Sequence, residues 1–208
     1  GSNRQIVNEA VEALRAEGIE NILALRGDIP EGMVFPGPRQ YRYASELVAQ
    51  LKAFGGFSVG AACYPEGHPE SPSKDKDLDF LRAKVDAGAE FLTTQMFFDN
   101  NILYNFLYRA LHKGISVPIA AGIMPVISAG QIKRICALSG ASLPPRFVAI
   151  IDRFAQSPKA MRQAGIAFAT EQIIDLIANG VSNIHIYTMN RPQIAAAIFS
   201  NLSDILEQ

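Results

Sequence analysis

The side chains able to bind or move charge stand just after short apolar runs. Arg26-Gly27-Asp28 follows Ile22-Leu23-Ala24-Leu25, and a glycine there lets backbone come close to a ligand between two opposite charges. The same triplet also reads as a turn with a solvated ion pair. Tyr64-Pro65-Glu66-Gly67-His68-Pro69-Glu70 gathers an aromatic face, an imidazole and two carboxylates. Its prolines stiffen it, which favours binding over a solvated loop. Thr94-Gln95-Met96-Phe97-Phe98-Asp99 places a neutral amide at the end of an apolar run. Gln95 can donate and accept at once, which suits a flat heterocycle, while Met96, Phe97 and Phe98 read as wall or core. Tyr187-Thr188-Met189-Asn190-Arg191 ends in a guanidinium fork suited to a carboxylate, or in an ordinary first-turn helix residue.

Other chemistry is poorly represented. Gly122-Ile123-Met124-Pro125 reads as a strand-ending turn with no ionisable group, His112 and His185 read as structural, and Cys63 and Cys136 sit among apolar neighbours as inert core residues. No nucleophile elbow, phosphate-cradling glycine motif or zinc spacing is present, so covalent catalysis and metal sites lose weight. Nineteen Lys and Arg against 20 Asp and Glu leave a net charge of -1, which disfavours nucleic acid as a partner. No apolar stretch approaches the ~18 to 20 residues of a membrane span. Two cysteines make neither a disulfide framework nor a four-cysteine zinc site, which fits a reducing compartment, with the cytoplasm as the default.

The elements that must position these residues follow from periodicity. Ile6, Val7, Ala10, Val11 and Leu14 recur at helical spacing after a cap at Asn3, and Gly18 closes the helix. The strand Ile22 to Leu25 comes next, then a helix at Tyr43 to Phe54, a strand at Phe57 to Cys63 and the polar loop Tyr64 to Lys76. A helix over Leu78 to Ala87, a strand at Phe91 to Thr94, a helix at Ile102 to His112 and a strand at Val117 to Ala121 continue the rhythm, with a further helix from about Ser128. Two helices, around Pro145 to Gln156 and Pro158 to Asn179, interrupt it before the strand Asn183 to Tyr187 and a last helix from Arg191. Apolar strands alternating with helices mean an α/β protein with a parallel sheet.

At 208 residues and 49% hydrophobic, the chain reads as one ordered domain, 1–208. An open doubly wound sheet and part of a (β/α)8 barrel both fit. The chain opens on a helix with no strand before it, and no initiating Met or signal peptide precedes Gly1-Ser2. Three more units of ~30 residues would reach the ~250 residues of a barrel, which favours the barrel. In either architecture ligands gather beyond the carboxyl ends of the strands, where the polar groups above lie.

Taken together, Leu25-Arg26-Gly27-Asp28, Tyr43-Ala44-Ser45-Glu46-Leu47, Ala62 to Glu70, Lys84-Val85-Asp86-Ala87-Gly88-Ala89, Thr94 to Asp99, Gly122 to Pro125 and Tyr187 to Arg191 resemble methylenetetrahydrofolate reductase. The resemblance implies a TIM barrel of which this chain supplies strands four to eight, with a helical insertion before the last strand. It also implies FAD, held by Arg26, Gly27, Asp28, Tyr43, Ala44, Tyr64, His68, Asp77 and Lys84. The resemblance further implies Asp28 and Gln95 as catalytic residues, with Asp28 near flavin and pterin and Gln95 matching the amide that contacts the pterin. Arg191 lies near the folate tail. The implied chemistry passes a hydride from NADH or NADPH through FAD to the methylene carbon of 5,10-methylenetetrahydrofolate, leaving 5-methyltetrahydrofolate.

Two departures from the family pattern stand out. The general acid, a Glu on the family's first strand, has no counterpart here, and losing such a group typically costs ~10² to 10⁴ in rate. Ile135 stands where some members place a Phe against nicotinamide or folate, which leaves NADH and NADPH both open. An alternative is a non-catalytic partner subunit that completes a split flavin-binding barrel. Homo-oligomers are common in the family. The expectation common to all these readings is that Asp28, His68, Gln95 and Arg191 converge on one rim.

Overall fold

A computed structural model describes residues 2–27, 29, 32, 36–37 and 40–207. Asp28, the residue with the most roles in the sequence reading, lies outside the described residues. The elements are α1 (Arg4–Ala16), β1 (Asn21–Ala24), α2 (Ala44–Phe54), β2 (Ser58–Cys63), α3 (Lys74–Asp86), β3 (Phe91–Thr94) and α4 (Asn100–His112), followed by β4 (Ile119–Ile123), α5 (Ala129–Ser139), α6 (Pro145–Phe154), α7 (Pro158–Ala178), β5 (Ile184–Ile186) and α8 (Pro192–Leu206).

Local chemistry sets the helix ends. The side chain of Asn3 accepts from the amide of Ile6 at 3.0 Å, and Ser73 and Asp99 cap α3 and α4 in the same way. Proline opens α6, α7 and α8, where its missing N–H costs nothing. Gly140 ends α5 in the left-handed conformation, φ 72°, that a side chain resists.

Each strand pairs in parallel with the next in sequence, giving the order β1-β2-β3-β4-β5. A doubly wound sheet reverses its strand order at a switch point, and no reversal occurs here. The open doubly wound alternative is therefore set aside: the sheet is a curled half-barrel of five parallel strands, wound in one direction.

Alternation separates the two faces of the sheet. Val59, Ala61 and Cys63 of β2, Leu92 of β3 and Ala121 and Ile123 of β4 are buried against Val48, Leu51, Leu78, Leu81, Leu103 and Phe106 from the helices. The opposite face carries Leu23, Gly60, Ala62, Phe91, Ala120, Gly122 and His185, and there Leu23 is 39% exposed. Phe91 lies so closely over Gly60 that a methyl on Gly60 would overlap the ring. A second core surrounds the helices between β4 and β5: Met96, Phe98, Met124, Val126, Ile132, Phe147, Ile151 and Met161 pack together. Phe147 stacks on Phe168 there with ring centroids 4.0 Å apart.

Several sequence boundaries need correction. The fourth strand runs two residues later than Val117 to Ala121, so Gly122 and Ile123 belong to a strand and not to the turn after it. Pro118 lies before that strand, and its carbonyl accepts from the Leu92 amide. The third helix starts at Lys74 and not Leu78, because the Ser73 cap and the acidic first turn of Asp75 and Asp77 outweigh the lack of apolar residues there. Cys136 is only partly buried, against the second core.

Candidate functional site

Three successive strand ends feed one cluster. Arg26, two residues after β1, sends both terminal nitrogens to the carboxylate of Glu70 in the loop after β2, at 2.8 and 2.7 Å. That two-pronged bond holds Glu70 below the usual carboxylate range. The Glu70 amide donates to Nδ1 of His68 at 3.0 Å, and the His68 ring meets Tyr64 edge-on with centroids 4.5 Å apart. Burial lowers the His68 pKa despite the nearby Glu70 and Asp77, so the imidazole is biased toward its neutral form.

Beneath this loop Lys84 of α3 points inward. Its Nζ donates to the Ala62 carbonyl at 2.9 Å and lies 5.8 Å from the centre of the Tyr64 ring. Desolvation pulls its pKa down, with Asp77 and Cys63 opposing. Asp77, the one buried acid among the described residues, accepts from the Ser71 hydroxyl at 2.7 Å, which ties the end of the loop to α3. Burial pushes the Cys63 thiol up, which keeps it protonated and inert. On its far side the loop is pinned by Glu66, whose carboxylate accepts from the amide and hydroxyl of Ser142 at 2.9 and 2.6 Å.

Gln95 follows β3 and joins the cluster through backbone: its amide donates to the Cys63 carbonyl at 2.7 Å. Its side-chain oxygen accepts from the Met96 amide at 3.0 Å, which sets the direction of the amide group. Met96, Phe97 and Phe98 are buried, as wall and core residues should be. Two side chains support this strand end. The Tyr187 hydroxyl donates to the Thr94 carbonyl at 2.8 Å, and Thr94 Oγ1 accepts from the Gly122 amide at 2.8 Å. Burial raises the Tyr187 phenol to about 12.

The fifth strand end is less connected. Met189 and Asn190 both have left-handed backbone, φ 51° and 59°, and Arg191 caps α8, exposed and without an ion pair among the described residues. A narrow cleft lies between this turn and the start of α5, lined by Gln131, Ile135, Tyr187, Thr188 and Met189. Thus Arg26, Tyr64, His68, Asp77, Lys84 and the Gln95 backbone form one connected group. Gly27 stands beside it at φ 78°. Tyr43, at the start of α2, is exposed and lies against the Arg42 guanidinium, 5.4 Å from its ring centre. Among the described residues no hydrogen bond or ring contact ties Tyr43, Ala44 or Arg191 to the group.

Sequence reading named Glu70 and Tyr187 but not their pairing with Arg26 and the Thr94 carbonyl, and passed over Ser142 and the buried Gln172 of α7. Of these two, Gln172 left a trace, a polar residue in line with Gly165, Phe168, Ala169 and Leu176 on an apolar helix face. No group of three or more His, Cys, Asp or Glu is placed to hold a metal among the described residues, and no described helix is long and apolar enough to cross a membrane.

Residues 1–203 match the family model described as methylenetetrahydrofolate reductase. The 5,10-methylenetetrahydrofolate reductase of Pectobacterium carotovorum subsp. carotovorum is 34% identical over 201 residues, covering 97% of this chain and 66% of that protein. The protein of the same name from Escherichia coli K12 is 37% identical over 89% of this chain and 61% of its own length. Methylenetetrahydrofolate reductase (NADH) 1 of Zea mays is 33% identical over 97% of this chain and 36% of its own. The chain thus spans 66% or less of the length of each of these relatives.

Proposed function

Because the chain belongs to the methylenetetrahydrofolate reductase family, we propose that it carries the flavin and folate side of an FAD-dependent reductase that converts 5,10-methylenetetrahydrofolate to 5-methyltetrahydrofolate. Bound FAD would supply the relay of a hydride from NADH or NADPH to the methylene carbon. The residues present fit that group. Arg26 already grips an anion by two parallel hydrogen bonds, the geometry a phosphate would take in place of Glu70. Tyr64 and the neutral-biased His68 offer flat faces above, and Lys84, fixed at the Ala62 carbonyl, places a cation beneath them. Gly27, Asp28, Tyr43, Ala44 and Asp77 complete the proposed FAD contacts.

Gln95 orients the pterin. With its oxygen committed to the Met96 amide, its NH₂ is the end offered to a ligand acceptor. Asp28 is proposed to stand near flavin and pterin, where its charge tunes both. Arg191, exposed at the start of α8, suits the carboxylates of the folate tail. The observation that carries the reading is the convergence of Arg26, His68 and the Gln95 backbone from successive strand ends, with Lys84 of α3 beneath them, in a chain matched to this family over residues 1–203. The test is direct: the full-length protein should purify yellow and oxidise reduced nicotinamide only when methylenetetrahydrofolate is added. A colourless protein that takes up no added FAD would overturn the reading.

One observation favours a second reading, a non-catalytic part that completes a split barrel. The end strands β1 and β5 each have one sheet neighbour among the described residues. Native mass spectrometry separates the two: a second, unlike polypeptide in the active species supports the split barrel, and this polypeptide alone excludes it.

A further inference from the structure

The inner face of helix α7 reaches toward the site at one point that the family reading leaves unused. Gln172 is 7% exposed, a polar side chain on the apolar face of a 21-residue helix. Its Nε2 donates to the Phe97 carbonyl at 3.0 Å, across 75 positions of sequence. After β3 the chain leaves the sheet, so the carbonyls of residues 94–97 lose their strand partners inside a packed core. Buried carbonyls without partners are costly, and here side chains from elsewhere supply them. Tyr187 takes the Thr94 carbonyl and Gln172 takes the Phe97 carbonyl, so the segment carrying Gln95 is fixed at both ends. At the first residue of α4, Asn100 donates to the Gln172 carbonyl at 3.0 Å and to Asp175 at 2.6 Å, which fixes α7 against the same loop.

We propose that Gln172 is a positioning residue for folate, holding the 95–97 segment so that the Gln95 amide meets its ligand in register; this rests on the reading that Gln95 contacts the pterin. A ligand hydrogen bond tolerates displacements of only about 0.5 Å, so a slack segment weakens folate binding. The proposed FAD contacts hang on the segments after β1 and β2, on the start of α2 and on α3, whereas the hydrogen bonds of Gln172 among the described residues go to Phe97 and Asn100. Its loss therefore acts on folate and spares FAD.

The experiment uses the flavin-loaded full-length protein. Gln172→Met keeps the volume and removes the donor. The expected result is about tenfold weaker binding of 5-methyltetrahydrofolate by calorimetry, with KM for methylenetetrahydrofolate raised to match, while kcat and the FAD dissociation constant stay within roughly twofold. Gln172→Asn, which keeps the amide but shortens its reach, gives the same split at smaller amplitude. In a Gln95→Ala background, Gln172→Met adds no further loss. Equal losses for FAD and folate, or the full tenfold loss added on top of Gln95→Ala, overturn the proposal. So does unchanged folate binding in Gln172→Met while Gln95→Ala binds weakly. If Gln95→Ala itself leaves folate binding unchanged, it is the reading of Gln95 that fails, and the inference falls with it.

Discussion

Two glycine-to-alanine substitutions, chemically identical and both within helices, should move stability in opposite directions. Gly130 lies in α5, and a Cβ built there meets nothing within 4 Å. Alanine should stabilise by roughly 0.5 to 1 kcal/mol, the entropy that glycine loses on entering a helix. Gly165 lies in α7 and faces the loop between β4 and α5. A Cβ there would overlap the Val126 carbonyl oxygen and come within 2.6 Å of its carbon. Both atoms are backbone, so the strain cannot be relieved by turning a side chain. Overpacking of this kind costs about 1 to 3 kcal/mol, and backbone contact places it at the upper end. Subtracting the helix gain of about 1 kcal/mol leaves a net loss near 2 kcal/mol. For a chain of this size each kcal/mol moves Tm by about 2 to 4 °C, so Gly165→Ala should melt about 4 to 8 °C lower and Gly130→Ala about 1 to 4 °C higher. Thermal unfolding followed by circular dichroism reads both. A Gly165→Ala protein as stable as the parent would refute the close approach of α7 to Val126 and, with it, the packing that seats Gln172.

Acidification should loosen the loop carrying His68 and Glu70. Both folded-state pKa values lie below their ordinary values of 6.5 and 4.5, so the stability each contributes is complete above those values and is lost as pH falls, His68 first and Glu70 after it. Hydrogen exchange of residues 64–71 as a function of pH would show it, and protection unchanged from pH 7 down to about pH 4 would count against both shifts. Arg26→Lys keeps the charge but loses the fork, so FAD affinity should fall on the order of tenfold in a fluorescence titration; equal affinity would mean that Arg26 does not hold phosphate. Met189→Gly removes a side chain from a left-handed position that costs about 1 to 2 kcal/mol, and should raise the urea midpoint modestly despite the extra freedom of an unfolded glycine. A lower midpoint would show that the turn after β5 is unstrained.

Much of this molecule is legible in the linear chain because the signals are local. Asn3 caps the first helix as its neighbours define it, and Phe91 to Thr94 matches a strand residue for residue, whereas the caps Ser73 and Asp99 were missed and with them the first turns of α3 and α4. Polar residues placed after apolar runs pointed to Arg26, His68 and Gln95, which the structure brings together, and to Arg191, which it leaves apart from them. Direction of winding was not legible: nothing in periodicity says whether consecutive strands sit side by side or reverse, and only the pairing register removed the doubly wound alternative. Partnerships across long separations were equally hidden. Arg26 with Glu70, Glu66 with Ser142, Tyr187 with Thr94 and Gln172 with Phe97 join residues 44, 76, 93 and 75 positions apart. Each depends on which backbone groups the fold leaves unpaired in its interior, and that is decided only when the helices pack.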